Sequence, residues 1–309
     1  MLALAVIIPV HGAIDPVLPL LEALIGPDVA QEDRPAQVIV VDDASPCRVP
    51  ADALPRGVDL VRREHNGGFG AAVNTGLHAA AFPQALVLNS DLIIPRGFAR
   101  TLLEHGAPWQ PAVVGCRAGT PDGTSGCSAR FTPRISHQVV EWLVPLASQH
   151  HRPVIQRAMG NDVDSDAATG VVPVDWVSGA VMLLPVAEVL AIGGFDEGYF
   201  MYTEEVDLQL RLRRVGVPTL LDADVVAVHE GGGSSGGEAR RRLWLVGARM
   251  RYARKHQNVH LLRAGLLSAS VVNIVWNTGR RLFGRDVNPV AVFREETTLI
   301  LTAGKELPR

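Results

Sequence analysis

Residues Leu4–Gly12, LAVIIPVHG, decide the fold: a short continuous apolar run that breaks at Pro9-Val10-His11-Gly12. A run of this length without polar alternation reads as a strand buried on both faces, the state of strands in parallel sheets. The chain then repeats the unit. Residues 16–25 place Val17, Leu20, Leu21 and Leu24 on one side of a helix, and residues 37–41 form a second strand that runs into Asp42-Asp43-Ala44-Ser45-Pro46. A third run, 58–61, leads to the turn His65-Asn66-Gly67-Gly68-Phe69-Gly70 and an Ala-rich helix ending near Ala81. Residues 85–88 run into Asn89-Ser90-Asp91, before a helix over 97–105 and a strand over 112–116. Strand, loop and helix units of this length predict an α/β fold: a mostly parallel, Rossmann-like sheet flanked by helices.

Composition sets the outer bounds. The 309 residues are 47% hydrophobic, ample for a large core, and a formal net charge of -3 excludes a general nucleic-acid binder. Cys47, Cys116 and Cys127 form no CxxC pair and cannot all pair among themselves, so a reduced, cytoplasmic compartment is expected. The N-terminal MLALAVIIPV lacks a basic segment and suits a buried strand rather than a signal peptide. No apolar run reaches the roughly 18 to 20 residues of a spanning helix.

The middle and the end differ from the start. Residues 117–172 are rich in Gly, Pro, Ser, Asp and His, with an amphipathic piece only at 139–146, and read as an irregular insertion inside a domain over 1–230. Residues 217–221 and 225–228 return to strand character before His229 and a Gly/Ser loop. Residues 231–309 read as a C-terminal helical region. Between Arg240 and Lys255 stand seven Lys/Arg and no acid, followed by the mostly apolar 261–276. That order fits a solvated charged face and equally a surface helix lying against anionic lipid.

Candidate chemistry concentrates in residues 177–216, where a Gly-Gly-Phe-Asp turn at 193–196 leads to a helix whose first turn carries Glu204, Glu205 and Asp207. Carboxylates are favoured at a helix start by its unpaired N–H groups and dipole. Glu205, Leu208, Leu212 and Val215 share a helical stripe, which turns Glu205 inward and leaves Asp207, Arg211 and Arg214 on a wet face. Asp42-Asp43 and Asp91 stand at strand ends, the edge where open α/β sheets bind ligands, and otherwise read as turn formers. The Gly-rich turn at 66–70 can offer N–H groups to a phosphate or simply connect a strand to a helix. There is no G-x-G-x-x-G after the first strand and no P-loop GKS or GKT. His229 and Asp91, if they face one edge, can share a divalent ion with substrate diphosphate oxygens.

The succession VIIPVHG, VIVVDDASP, NGGFGAAVNTGL, LVLNSD, WVSGAVMLL, GGFDEGYFMYTEEVDLQLRLRRVG and VVAVHEGGGSS, over residues 4–255, resembles bacterial glycosyltransferase family 2, the inverting enzymes of the GT-A fold, and most of all their rhamnosyltransferase branch. The resemblance implies that Pro9, Val10, Asp42 and Asp43 line the base and ribose, with Asn66, Gly68, Phe69 and Asn74 on the other wall. Asn89-Ser90-Asp91 takes the place of the family's D-x-D element, with Asn in place of the first acid, so that Asp91 and His229 hold Mg²⁺ or Mn²⁺. Glu204-Glu205 takes the place of the family's Glu-Asp pair, which makes Glu205 the base. Trp176, Ser178, Gly179, Asp196 and Glu204 fall around the sugar and the acceptor.

The activity expected is metal-dependent inverting transfer of a sugar, L-rhamnose from dTDP-L-rhamnose first, to a lipid-linked or polysaccharide acceptor in cell-wall or surface glycan synthesis. Such chemistry needs a Lewis acid on the leaving diphosphate and one base for the acceptor hydroxyl, whereas a glycosidase needs two flanking carboxylates. A helix start should keep Glu205 ionised. The alternatives are a UDP-hexose transferase of the same family, a sugar nucleotidyltransferase, and a degenerate nucleotide-sugar-binding protein. The expected partners are the nucleotide-sugar donor, the acceptor, a peripheral membrane contact through 240–276 at the inner face of the cell membrane, and a second copy of the chain; nucleic acid is not among them.

Overall fold

In a computed structural model of the chain the described residues are 1–119, 128–229 and 237–303, without the side chains of His229 and Glu238. Cys127 and the loop after His229 lie outside them. The chain divides into two compact units, one of 1–130 with 164–236 and one of 131–163 with 237–308.

The strands in chain order are β1 (Leu2–Val10), β2 (Pro35–Asp42), β3 (Val58–Arg62), β4 (Gln84–Leu88), β5 (Leu92–Ile93), β6 (Val113–Gly119), β7 (Ala129–Arg130), β8 (Val171–Val174), β9 (Trp176–Val177), β10 (Val181–Pro185) and β11 (Thr219–His229). The α-helices are α1 (Leu18–Ile25), α2 (Phe69–Ala79), α3 (Phe98–Gly106), α4 (Ile135–Trp142), α5 (Pro153–Ala158), α6 (Val163–Asp166), α7 (Val186–Ala191), α8 (Glu204–Arg214), α9 (Glu238–His256), α10 (Val259–Leu282) and α11 (Pro289–Thr302).

The first unit is built on one sheet in the order β3-β2-β1-β4-β10-β6-β11-β5, with β8 on β11. Strands β3, β2, β1 and β4 run parallel, as the sequence pattern predicts. Beyond them the sheet is mixed, because β10 lies antiparallel between β4 and β6. Along β1, Leu4, Val6 and Ile8 enter one core layer with Leu20, Leu24 and Leu102, while Ala5 and Ile7 enter another with Leu77, Leu208 and Leu212. Side chains alternate across a strand, so an uninterrupted apolar run is what two-sided burial requires. Helices α1 and α3 cover one face, and α2 and α8 the other. The parallel strands β1, β2 and β4 end together, and their last residues carry the candidate site.

The second unit corrects the reading of 117–172 as irregular. Residues 131–163 form α4, a 3-10 segment at Val144–Gln149 and α5, and they group with the C-terminal helices. Ile135, Val139 and Trp142 of α4 pack on a core of Val246, Met250, Leu262, Leu266 and Ile300. A helix of eight residues has little stability of its own, so this packing, rather than local propensity, holds it. Helix α10 is longer than the apolar run at 261–276: Asn258 caps it by accepting from the N–H of His260 at 3.0 Å and of Leu261 at 3.1 Å. Its 24 residues have a mean hydropathy of 1.4 over their most apolar window, 28% of it buried. By length and composition that is apolar enough to cross a membrane, which the sequence pattern alone does not predict.

Candidate active site

The residues expected to line a nucleotide are stitched together around the end of β2. Asp43 N–H donates to Val10 O at 2.8 Å, and Gly12 N–H donates to Ser45 Oγ at 2.9 Å. The Asp43 carboxylate accepts from Gly67 N–H at 3.0 Å and Gly68 N–H at 2.8 Å, and pairs with Arg63 Nε at 2.8 Å. Two amides of the 66–70 turn, those of Gly67 and Gly68, are therefore committed to Asp43. Asn66 Nδ2 lies 3.2 Å from His11 Nε2, closing the ring of β1, β2 and the start of α2. Pro9, Asn66 and Phe69 are half-buried around it and Val10 is buried.

Asp42 faces inward. Its carboxylate is fully buried, accepts from Ser45 N–H at 2.8 Å and Val49 N–H at 3.3 Å, and is ion-paired with Arg62. Burial works to raise this carboxyl, and the hydrogen bonds from Ser45, Val49 and Arg62 outweigh it and hold the group below its ordinary value. Asp42 therefore builds the turn on which Asp43 stands.

Asn74 is also engaged within the protein. Its Nδ2 donates to Phe195 O at 2.9 Å and Glu197 Oε1 at 3.0 Å, and its Oδ1 accepts from Phe195 N–H at 2.8 Å. Gly194 has φ +68°, and a methyl group there would stand 2.5 Å from Asn74 Oδ1. A side chain is excluded both by conformation and by space. On the far side, Arg211 donates from Nη1 to Ile192 O at 3.1 Å and from Nη2 to Gly194 O at 2.7 Å. The Gly-Gly-Phe-Asp turn is thus gripped by α2 and α8 at once. Within it, Asp196 Oδ1 accepts from Gly198 N–H at 2.9 Å.

The expected wet face of α8 is overturned by this grip. Asp207 is completely buried and ion-paired with Arg211 Nε at 2.7 Å, whereas Val215, expected on the apolar stripe, is 61% exposed. The helix buries Glu204, Val206, Asp207, Leu208, Gln209 and Leu212, so its inward face is wider and more polar than periodicity suggests. Glu205 itself is half-buried at the helix start.

The residues before α8 are strained. Tyr202 and Thr203 both have φ +72°, an uncommon left-handed conformation for residues with side chains. Two such residues in succession turn the chain into the helix and set the direction of Glu204 and Glu205. Gly68, with φ +85°, approaches the same loop so closely that a methyl group would meet Phe200 O at 1.7 Å.

Glu205, Gly179 and Phe69 converge. A methyl group on Gly179 would lie 3.4 Å from Glu205 Cβ and 3.5 Å from Phe69 Cε1, and Phe69 meets Phe195 edge-on with centroids 6.1 Å apart. Gln209 holds β9 beside α8: it accepts from Val177 N–H at 2.8 Å and donates to Val177 O at 2.9 Å and Glu205 O at 3.1 Å. Arg130 of β7 lies over the Trp176 ring at 5.6 Å. Ser178 N–H donates to Ser128 O at 3.2 Å. Burial raises the Glu205 carboxyl above its ordinary value, with hydrogen bonds at the helix start and the Arg130 charge opposing it. Desolvation thus outweighs the hydrogen bonds of the helix start. Glu204 is raised further by burial and by the adjacent Glu205, and its Oε2 has no hydrogen-bond partner among the described residues.

Asn89, Ser90 and Asp91 sit half-buried on the turn that ends β4, and Asn89 N–H donates to Ala180 O at 2.9 Å. The backbone register of β5 and β11 sets His229 opposite Leu92, the residue after Asp91. The His229 side chain lies outside the described residues. Among those residues no cluster of three His, Cys, Asp or Glu converges as a metal cage. Arg130, Gln209 and Arg211 complete the arrangement and were not marked by sequence; a Gln in the interior of an amphipathic helix carries no spacing signal until β9 is seen beside it.

Residues 5–153 match the model of the family described as glycosyl transferase family 2. The N-acetylglucosaminyl-diphospho-decaprenol L-rhamnosyltransferase of Mycobacterium tuberculosis is 28% identical over 229 residues, 66% of this chain and 69% of that protein. Among solved structures, the mannosyltransferase PcManGT from Pyrobaculum calidifontis in complex with GDP-Man and Mn2+ aligns with a TM-score of 0.58 at 15% identity, over 97% of this chain and 84% of that one. GalNAc-T7 with UDP, GalNAc and Mn2+ aligns with a TM-score of 0.55 at 12% identity, over 96% of this chain and 54% of that one. At these identities the likeness to both structures is one of fold, the GT-A arrangement of a mixed sheet flanked by helices.

Proposed function

Since the chain belongs to glycosyl transferase family 2 and is a glycosyltransferase, we propose that it transfers L-rhamnose, with inversion, from dTDP-L-rhamnose to a lipid-linked or polysaccharide acceptor. The observation that carries this reading is the convergence of Glu205, Gly179 and Phe69 at the start of α8, beside the Arg130–Trp176 stack. One carboxylate at the reacting centre, rather than two flanking a bond, suits direct displacement by an acceptor hydroxyl.

Glu205 Oε takes the proton of that hydroxyl. A carboxyl raised by burial is a stronger base than an exposed one, and the Arg130 charge favours its ionised form. Gly179 has no side chain, and Glu205 and Phe69 stand within van der Waals reach of the position a methyl group there would take. Trp176 supplies an apolar wall and Arg130 a cation beside it. Pro9, Val10, Asn66 and Phe69 line the base and ribose, and Asp43 fixes the turn that carries two of them.

Asp91 and His229 would hold a divalent cation, Mg²⁺ or Mn²⁺, together with donor diphosphate oxygens. One carboxylate and one imidazole fit a hard cation when substrate oxygens complete the set, and the register of β11 on β5 supports the pairing. The structures of PcManGT and GalNAc-T7 both contain Mn2+ together with a nucleotide or nucleotide sugar. Such an ion supplies charge stabilisation to the leaving diphosphate. The enzyme would work at the cytoplasmic face of the cell membrane, where a lipid-linked acceptor is presented.

The test is a panel of nucleotide sugars, dTDP-L-rhamnose and UDP-hexoses included, assayed with Mn²⁺ for transfer and donor hydrolysis, alongside Glu205→Gln. The variant should lose transfer and keep donor affinity. Ordinary turnover by Glu205→Gln removes it as the base, and turnover of a UDP-hexose alone replaces the donor.

A further inference from the structure

Helix α10 has two faces of opposite character. Leu262, Leu266, Ala269, Ser270, Asn273 and Asn277 are buried within the second unit. Asn273 donates to Trp142 O at 2.9 Å and to Glu296, and accepts from Val144 N–H at 2.8 Å; the Trp142 indole N–H donates to Ser270 Oγ at 3.0 Å. On the other face Val271, Val272, Val275, Trp276 and Leu282 are between 48% and 81% exposed, and Phe283 just after the helix is 90% exposed. Their spacing keeps them on one stripe. Val271, Val272, Val275, Trp276 and Gly279 line a shallow apolar groove together with Pro145.

The charge bordering this stripe is mostly positive, with exposed Asp286 next to Arg285. Helix α10 contains no Asp or Glu, and Arg280, Arg281 and Arg285 are exposed at its C-terminal end. The basic helix α9 is a different matter. Val246, Ala248, Met250, Tyr252 and Ala253 bury it, and its Arg242 and Arg249 pair with Glu295 and Glu141. The continuous exposed apolar surface of this unit thus lies on α10 rather than on the basic run of α9.

We propose that the exposed face of α10 docks in plane on an anionic lipid bilayer, with Val271, Val275, Trp276, Leu282 and Phe283 in the interfacial zone and Arg280, Arg281 and Arg285 at the headgroups. An unbroken apolar stripe with a Trp and a cationic border is the composition of an interfacial helix. Spanning is disfavoured although the helix is long enough, because it would strip Asn273 from its partners on α4 and α11 and place Asn273 and Asn277 in hydrocarbon. This inference rests on the reading of the acceptor as lipid-linked, since the surface brings the enzyme to the membrane that carries such a substrate.

The experiment uses the full chain, vesicles of phosphatidylcholine with and without phosphatidylglycerol, and a Val275→Asp/Trp276→Asp double variant whose side chains are exposed. Wild type should float with anionic vesicles and be released by alkaline carbonate. The double variant should bind at least 10-fold less and keep its thermal midpoint. Equal flotation of both proteins overturns the proposal. So does retention after carbonate, which indicates spanning, and so does a wild-type dimer that the double variant splits without any vesicle binding, which indicates a second copy on this face. Donor hydrolysis measured in the same samples separates the two readings: vesicle binding without turnover sinks the catalytic assignment alone, and turnover without vesicle binding sinks the docking face alone.

Discussion

Asp207 and Arg211, one turn apart on α8, meet at 2.7 Å with the carboxylate fully buried. The pair is more than an ion pair on one helix, because the two remaining arginine nitrogens reach the carbonyls of Ile192 and Gly194. Asn74 holds the next residue of that turn from the α2 side. A single arginine thus ties the helix that begins with Glu204 and Glu205 to the loop that lies against α2.

Arg211→Met should cost about 3–5 kcal/mol of unfolding free energy, because the buried Asp207 carboxylate then loses its arginine. Arg211→Lys keeps the charge but not the fork that serves two carbonyls, and should cost about 1.5–3 kcal/mol. As positioning changes, both should lower kcat more than they raise the KM of the donor. Urea unfolding and steady-state kinetics check this. An Arg211→Met protein as stable as the wild type would mean that Asp207 is not held by this pair.

Glu204 and Glu205 enter the pH profile in different ways, the first through stability and the second through activity. Burial raises Glu204 above its ordinary value of 4.5, so between that value and the folded one the native state binds more protons than the unfolded chain. Stability from this group therefore falls as pH rises through that window, and the full penalty stands above it. Glu204→Gln should stabilise the protein at neutral and alkaline pH and make little difference below pH 4.5. If Glu205 is the base it must be ionised to act, so kcat/KM should fall as pH drops through a value above the ordinary carboxylate range. Thermal midpoints and pH–rate profiles of wild type and Glu204→Gln report both limbs. An acid limb at an ordinary carboxylate value would show that burial does not control Glu205.

Much of this architecture is legible in residue order because burial on two faces writes an unbroken apolar run. Leu4–Val10 reads as a core strand for that reason, and the turns after β1, β2 and β4 fall where parallel strands must end. Glu205 is picked out by its position at a helix start. Asp207 is misassigned by the same helical periodicity, since a buried carboxylate paired with Arg211 looks identical in sequence to a solvated one. The second unit is hard to read because α4 shows its amphipathic face only in part and is held by packing on the core of α9 and α10, while α5 is six residues long. Gln209 and Arg130 stay silent because each works through residues distant in the chain, Val177 and Trp176.

Asp91 and His229 are separated by 138 positions and brought to one edge by a single antiparallel pairing, Leu92 opposite His229. If they share a divalent ion with the donor diphosphate, removing either ligand should weaken donor binding in the presence of Mn²⁺ by at least ~10-fold and leave binding in chelator unchanged. Metal should therefore lose its effect on affinity in Asp91→Ala and in His229→Ala, while Glu205→Gln keeps the full metal response. Calorimetric titration with the donor nucleotide diphosphate, with Mn²⁺ and then with EDTA, distinguishes the three variants. A full metal-dependent gain in affinity in both ligand variants would mean that the ion is held elsewhere.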